Sequence, residues 1–280
     1  MKCPHYADPS FIDYVLKEDI GRGDITTRLI FREKKIWKAE IKAKEELVLC
    51  GSELIGHIFG KIDGSVEVKL VSNDGARLKK GDVIAVISGD PASILTGERT
   101  VLNFLQRLSG VATLSAEFVK ALDPSSDTRI TDTRKTTPGW RTLEKYAVRT
   151  GGAVNHRFGL DDGVMIKDNH IVMAGSIGKA VSDVRKGVHH LLKIEVEVST
   201  IDQVHEALSA GADVIMLDNM PVEMMKDAVR IINKKAVTEI SGGVTLSRIG
   251  ELSRVGADII SVGALTHSAV AKDINLTLYP

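Results

Sequence analysis

Cys3 and Cys50 are the only cysteines among 280 residues. That scarcity excludes a disulfide framework and a thiolate metal cluster. Aromatic residues make up only 4% of the chain, too few for a platform on which nucleic-acid bases stack. Excess charge is missing as well, since 37 Lys plus Arg face 37 Asp plus Glu. A chain so balanced has no global surface for nucleic acid or anionic membrane, though a local basic pocket stays open to it. No apolar run approaches the roughly 20 residues of a membrane span. The opening MKCPHYADPSFIDY has charges and a proline where a signal peptide would carry an apolar core. The expected address is the cytoplasm. Neither Gly-x-Gly-x-x-Gly after a strand nor a Walker-type loop occurs. Cys3 and His5 form half a metal site at most, and a plain chain end is the simpler reading.

What is present is a rhythm. Short apolar runs recur at Arg129-Ile130-Thr131, Val164-Met165-Ile166, Ile194 to Val198, Val214 to Leu217, Val237 to Ile240 and Ile259 to Val262. Helical spacing fills the gaps, as in Ile201, Val204, Leu208 and Ala212. Continuous apolar strands alternating with amphipathic helices predict βα units around a parallel sheet. Ser199 or Thr200, Pro221, and Thr245 or Ser247 stand where helices should start, and Gly211 and Gly256 where they should stop. Units this short suit a barrel, closed or open, better than a doubly wound sheet.

The N-terminal third differs. Lys38 to Leu49 and Ser65 to Val71 alternate polar with apolar residues, as half-buried antiparallel strands do. Leu78 to Val83 reads as strand-turn-strand, and Ala92 to Leu122 as long helix interrupted at Gly110. The predicted class is α/β: an N-terminal sandwich-like α/β domain, residues 1–106, then a (β/α) barrel, residues 107–269. Ile274 to Leu278 alternates again, and residues 270–280 are expected to return to the first domain.

In a βα barrel, ligands bind at the carboxyl ends of the strands. Those ends are rich here. Arg134, Lys135, His156, Arg157 and Lys167 are basic and suit an anionic substrate with carboxylates or phosphates. Glu197 and Asp218 lie on consecutive strands and suit either a hard cation such as Mg²⁺ or sugar hydroxyls. Glu195 shares a face with Glu197, but Glu197 is nearer the strand end. Ser241-Gly242-Gly243 and Gly263-Ala264 are small turns before helices, where backbone N–H groups cradle phosphate. Each feature alone has a plainer reading: a solvated turn for Arg134-Lys135, a surface position for His189-His190, a Schiff-base aldolase for Lys167. The combination is what points to a cleft for an anion, a phosphorylated sugar and a divalent ion.

Longer stretches carry a resemblance. They run from Glu18 to Thr27, from Gly97 to Thr113, from Asp132 to Ile171 (DTRKTTPGWRTLEKYAVRTGGAVNHRFGLDDGVMIKDNHI), through EISGGVTL from Glu239 and SVGALTHS from Ser261. In this order they resemble the quinolinate phosphoribosyltransferase family over nearly the whole chain. The resemblance implies an enzyme joining quinolinate to 5-phosphoribosyl-1-pyrophosphate (PRPP) with Mg²⁺, releasing pyrophosphate and CO₂. It implies that Arg134, His156, Arg157 and Lys167 surround the two quinolinate carboxylates and that Lys135 helps hold PRPP. Glu197 and Asp218 would face the ribose and the metal, directly or through PRPP or water. The Ser241-Gly242-Gly243 and Gly263-Ala264 turns would take the 5-phosphate, with Thr133 and Ser261 in the substrate-binding set. Arg99 would reach a neighbouring subunit's site, which requires at least a homodimer.

Two positions depart from the family pattern: Ala153 where a third glycine is usual, and Trp140 where a smaller apolar residue is expected. A related group encoded with molybdate transport shares Arg-Lys-Thr-x-Pro-Gly and His-Arg but lacks Lys-Asp-Asn-His, present here at Lys167 to His170. A phosphate-sensing module without turnover is the non-catalytic rival.

Overall fold

The computed structural model describes residues 4–31 and 35–280. Cys3, and with it the Cys3/His5 reading, lies outside the described residues. Two compact units are interleaved along the chain. One takes the described residues of Met1–Ala116 with Thr136–Gly152 and Ser268–Pro280; the other takes Glu117–Lys135 and Ala153–His267.

The first unit is built on a four-stranded antiparallel sheet of β1 (Trp37–Ala43), β3 (Glu67–Leu70), β5 (Val83–Gly89) and β12 (Ile274–Tyr279), in the order β12-β1-β5-β3. Alternation in β1 puts Ala39, Ile41 and Ala43 inward, all fully buried. The expected return of the C-terminal segment is the β1–β12 pairing, Lys38 opposite Tyr279 through Ala43 opposite Ile274. Leu78 to Val83 is strand-turn-strand as expected, but its two strands belong to different sheets. β4 (Arg77–Leu78) pairs with β2 (Leu47–Val48) in a separate sheet, while β5 joins β1.

The helices of this unit are α1 (Pro9–Ile20), α2 (Ile25–Ile30), α3 (Ser52–Ile62), α4 (Pro91–Lys120) up to Ala116, and α5 (Arg141–Thr150). Asp8 and Asp24 cap the first two by accepting Ser10 and Thr27 N–H. α4 runs unbroken for 30 residues, so Gly110 does not interrupt it. Gly110 instead permits close approach, because a Cβ there would lie 2.2 Å from the Val270 carbonyl oxygen. Trp140 stacks on Phe104 at 4.9 Å and meets the edge of Phe11, so the larger ring has a packed place.

The second unit is a six-stranded, all-parallel sheet of β6 (Arg129–Thr131), β7 (Val164–Ile166), β8 (Ile194–Val198), β9 (Val214–Asp218), β10 (Val237–Ser241) and β11 (Ile259–Ser261). The order β6-β11-β10-β9-β8-β7 leaves β6 and β7 unpaired with each other, an open barrel-like sheet. Val154 adds a parallel bridge beside Thr131. Each predicted strand falls within one residue of its apolar run, because strands buried on both faces need continuous apolar sequence. Between them lie α6 (Asp168–Ala174), α7 (Ile177–Gly187), α8 (Ile201–Ser209), α9 (Val222–Ile232), α10 (Ile249–Ser253) and α11 (Ala264–His267). Thr200 caps α8 by accepting Gln203 N–H, and Pro221 is the N-cap residue of α9. Thr245 precedes a 3₁₀ turn that leads into α10. Gly211 and Gly256 follow α8 and α10 at φ 78° and 90°.

Candidate active site

Parallel strands send all their carboxyl ends one way, and there the second unit opens a cleft of about 650 Å³. Its walls carry Thr133, Arg134 and Lys135 after β6, His156 and Arg157 after Val154, and Lys167 after β7. Glu197, Asp218, Ser241, Gly242, Gly243 and Ser261 come from the four remaining strands or the turns after them. Met165, Met216 and Asn219 also line it. Arg99, Gly263 and Ala264 do not: Arg99 is exposed on α4, and the other two lie beside the walls.

The loop after β6 is pinned through its main chain. Asp132, fully buried, accepts the His156 N–H at 2.9 Å and the Asn155 amide at 2.6 Å. Thr133 Oγ accepts the Lys135 N–H at 3.0 Å, so this hydroxyl orders its own loop. Thr266 Oγ, also fully buried, donates to the Lys135 carbonyl at 2.8 Å. A Cβ on Gly263 would lie 3.0 Å from Lys135 Cδ, so the lysine stem passes over a glycine. In the first unit, Thr137 donates twice to buried Glu144, at 2.9 Å from N–H and 2.8 Å from Oγ, and Glu144 also accepts Arg107 Nη2 at 2.8 Å.

Opposite charges divide the cleft. The Arg157 guanidinium donates to the Gly163 carbonyl at 2.7 Å. Burial lowers its pKa, and the nearby Arg134 guanidinium lowers it further against a smaller opposing effect of Glu195. Two arginines that repel each other in one cleft are a site for an anion bearing more than one charge. Lys167 Nζ forms an ion pair with Glu197, and Lys167 N–H donates to His170 Nδ1 at 3.0 Å, so the Lys-Asp-Asn-His stretch folds on itself as a helix start. Asp218 accepts the Asn219 amide at 2.8 Å. Gly242 is required in its place: φ is 87°, and a Cβ would lie 2.2 Å from Asn219 Oδ1.

Beneath these walls His156 meets two acids, Glu195 and Glu239, for which the sequence suggested no role. His156 Nε2 is 3.1 Å from Glu195 Oε2 and 3.6 Å from Glu239 Oε1. Ser261 Oγ donates to Glu239, so Ser261 lines the cleft while bonded to its floor. Burial, and then the Glu195 carboxylate, push the Glu239 pKa up to about 9. Glu195 Oε1 is buried with no hydrogen-bond partner among the described residues. The one available signal was an acid inside an apolar strand, Val237-Thr238-Glu239-Ile240, where an unpaired charge would be costly.

Ala153 is buried, yet the constraints at this turn fall on its neighbours. A Cβ on Gly151 would lie 2.3 Å from the Ala112 carbonyl oxygen, and Gly152 has φ 96°. Position 153 has no such demand, which accounts for an alanine there.

Residues 24–109 match the quinolinate phosphoribosyl transferase N-terminal domain, and residues 111–277 match its C-terminal domain. A Bacillus subtilis protein described as a probable carboxylating nicotinate-nucleotide pyrophosphorylase is 46% identical over 272 residues, covering 97% of this chain and 93% of the relative. The crystal structure of NadC from Streptococcus pyogenes superposes with a TM-score of 0.95 at 38% identity, covering 100% of this chain and 99% of that one. The nicotinate-nucleotide pyrophosphorylase of Francisella tularensis gives 0.94 at 39% identity, covering 99% and 98%.

Proposed function

The chain belongs to the quinolinate phosphoribosyltransferase family, and we propose that it joins quinolinate to PRPP, giving nicotinate mononucleotide, pyrophosphate and CO₂ in de novo NAD biosynthesis. One observation carries the reading of the cleft. Arg134 and Arg157, which repel each other, share it with the carboxylates Glu197 and Asp218. A site for a dicarboxylate alone would not need the acids, and a site for a phosphosugar alone would not need the paired guanidiniums.

In this reading Arg134 and Arg157 bind the quinolinate carboxylates, with His156 and Lys167 beside them. Lys135 engages PRPP, with Thr133 and Ser261 beside it, and the Ser241-Gly242-Gly243 turn takes the 5-phosphate. The Gly263-Ala264 turn joins it in this role, and Gly263 also leaves room for the Lys135 stem. Glu197 and Asp218 face the ribose, and their hard oxygen donors at the cleft wall fit Mg²⁺ directly or through PRPP or water. Mg²⁺ there would offset the charge of the departing pyrophosphate. The pyridine nitrogen is already a nucleophile, so the protein needs no serine, cysteine or general base. The two carboxylates stabilise positive charge growing on the sugar carbon. Once quaternised, the positive ring nitrogen stabilises the electron pair left on the adjacent carbon as the C–CO₂ bond breaks, and that carbon then takes a proton from water. The same reading includes a cytoplasmic homodimer or larger assembly in which exposed Arg99 completes the neighbour's site.

The Schiff-base rival loses support, because Lys167 is ion-paired with Glu197 and is not the desolvated amine such chemistry uses. Assay of nicotinate mononucleotide and CO₂ release, with quinolinate and separately with nicotinate, tests the proposal. Turnover of quinolinate alone is expected. Turnover of nicotinate without quinolinate overturns the substrate, and PRPP binding without any turnover leaves a sensing module.

A further inference from the structure

His156 stands between the cleft and its floor, and both ring nitrogens are engaged. The Arg157 main-chain N–H donates to Nδ1 at 2.7 Å, so Nδ1 carries a lone pair and no proton. The ring proton is therefore on Nε2, which faces Glu195 Oε2 at 3.1 Å and Glu239 Oε1 at 3.6 Å. A cationic ring would place a second N–H at Nδ1, directly against the Arg157 N–H. The main-chain bond forbids that unless the loop moves.

We propose that His156 works as a neutral imidazole with its proton on Nε2, held by Glu195 and Glu239 as positioning residues, and that Arg134 and Arg157 supply the cationic recognition of the substrate carboxylates without it. The proposal rests on reading the cleft as the quinolinate site. It departs from grouping His156 with the cations, the role that residue type alone suggests.

The surroundings make the arrangement coherent. The groups facing the ring are Glu195 and Glu239 at Nε2 and Arg157 at Nδ1, with Arg134 beside the Arg157 side chain. A third cation beside two arginines would add repulsion to the cleft before substrate enters. A buried carboxylate left bare beneath the site would repel the incoming dicarboxylate. The Nε2–H answers that second problem by giving Glu195 a donor, and it does so without net charge. Asp132 fixes the device from behind, since it accepts the His156 main-chain N–H at 2.9 Å. That bond and the Arg157 N–H bond together set the ring plane.

The direct test is long-range ¹H–¹⁵N correlation on full-length, ¹⁵N-histidine-labelled protein, with His156 assigned by its loss in His156→Gln. At pH 7 one protonated nitrogen and one pyridine-like nitrogen are expected, with the proton on Nε2. Two protonated nitrogens at pH 7, or a proton on Nδ1, overturn the proposal. Kinetics supply a second arm. His156→Gln keeps an N–H at about the reach of Nε2 and is uncharged at every pH, whereas His156→Leu keeps neither. The glutamine variant should hold its quinolinate KM within about threefold, while leucine raises it about tenfold, the factor expected for one hydrogen bond. Equal loss in both variants, with the acid limb of the kcat/KM profile abolished, means a cation is needed and sinks the idea. The NMR result does not depend on turnover. A protein inactive toward quinolinate but showing the Nε2–H tautomer would refute the substrate and not the tautomer.

Discussion

Thr266 and Lys135, far apart in sequence, are joined by a 2.8 Å hydrogen bond from the threonine hydroxyl to the lysine carbonyl. The hydroxyl is fully buried, so its loss is not made good by water. Thr266→Val, which keeps the shape, should raise the KM for PRPP about fivefold through a freer Lys135, at a stability cost of about 1 kcal/mol. Thr266→Ser should restore most of it. Unchanged PRPP kinetics in the valine variant would show that Thr133 and Gly263 suffice to place the lysine.

The adjacent cations of the first strand end should separate by substrate. Arg134→Ala is expected to raise the quinolinate KM roughly 10- to 100-fold, since bonds to charged groups contribute about 1.5–3 kcal/mol each. Lys135→Ala should act mainly on PRPP. Steady-state kinetics with each substrate varied in turn decides; near-native turnover in either variant removes that residue from the site.

Glu239 makes a pH prediction. Its carboxyl titrates near 9 when folded against an ordinary 4.5, so the folded state holds a proton that the unfolded chain releases across that interval. The stability associated with this group is fully present below the unfolded value and is lost as pH rises through the folded one. Glu239→Gln cannot ionise, so its thermal stability relative to wild type should improve from pH 5 to pH 9. Parallel melting curves for the two proteins would refute the shifted titration.

Two glycines should fail for different reasons. Alanine is a better helix former than glycine by about 1 kcal/mol. Gly110→Ala should nonetheless destabilise, because its Cβ would stand 2.2 Å from the Val270 carbonyl oxygen. Gly242→Ala combines positive φ with a clash on Asn219 and should lose PRPP binding while melting within a few degrees of wild type. Melting temperature and PRPP titration separate the two cases.

Much of the second unit was legible, because strands covered on both faces must be apolar throughout and their ends are where charge can gather. Thr131 to Arg141 is the clearest case: Arg134 and Lys135 do reach the cleft, and the strand before them is where its three residues predicted. Periodicity could not show that Thr136–Gly152 is grouped with the first unit, since α5 has the amphipathic pattern of any surface helix. Nor could it tell a helix break from a close approach at Gly110, because the cause is a carbonyl at residue 270, brought near only by tertiary folding. The Glu195, Glu239 and His156 cluster was invisible for a similar reason. His156 reads as one more strand-end cation and Glu195 as a neighbour of Glu197 until the sheet places three segments side by side.

The pairing of β1 with β12 carries a consequence for how the protein is made. β12 emerges from the ribosome after the other described strands, yet without it β1 is an edge of the sheet it forms with β5 and β3. Until β12 is made, β1 therefore presents a strand edge open to pairing with another chain, and β12 then takes over that edge position. The β1–β12 pairing joins segments far apart in sequence, so β1 is covered only after β12 has been made, whatever the intrinsic folding speed of the sheet.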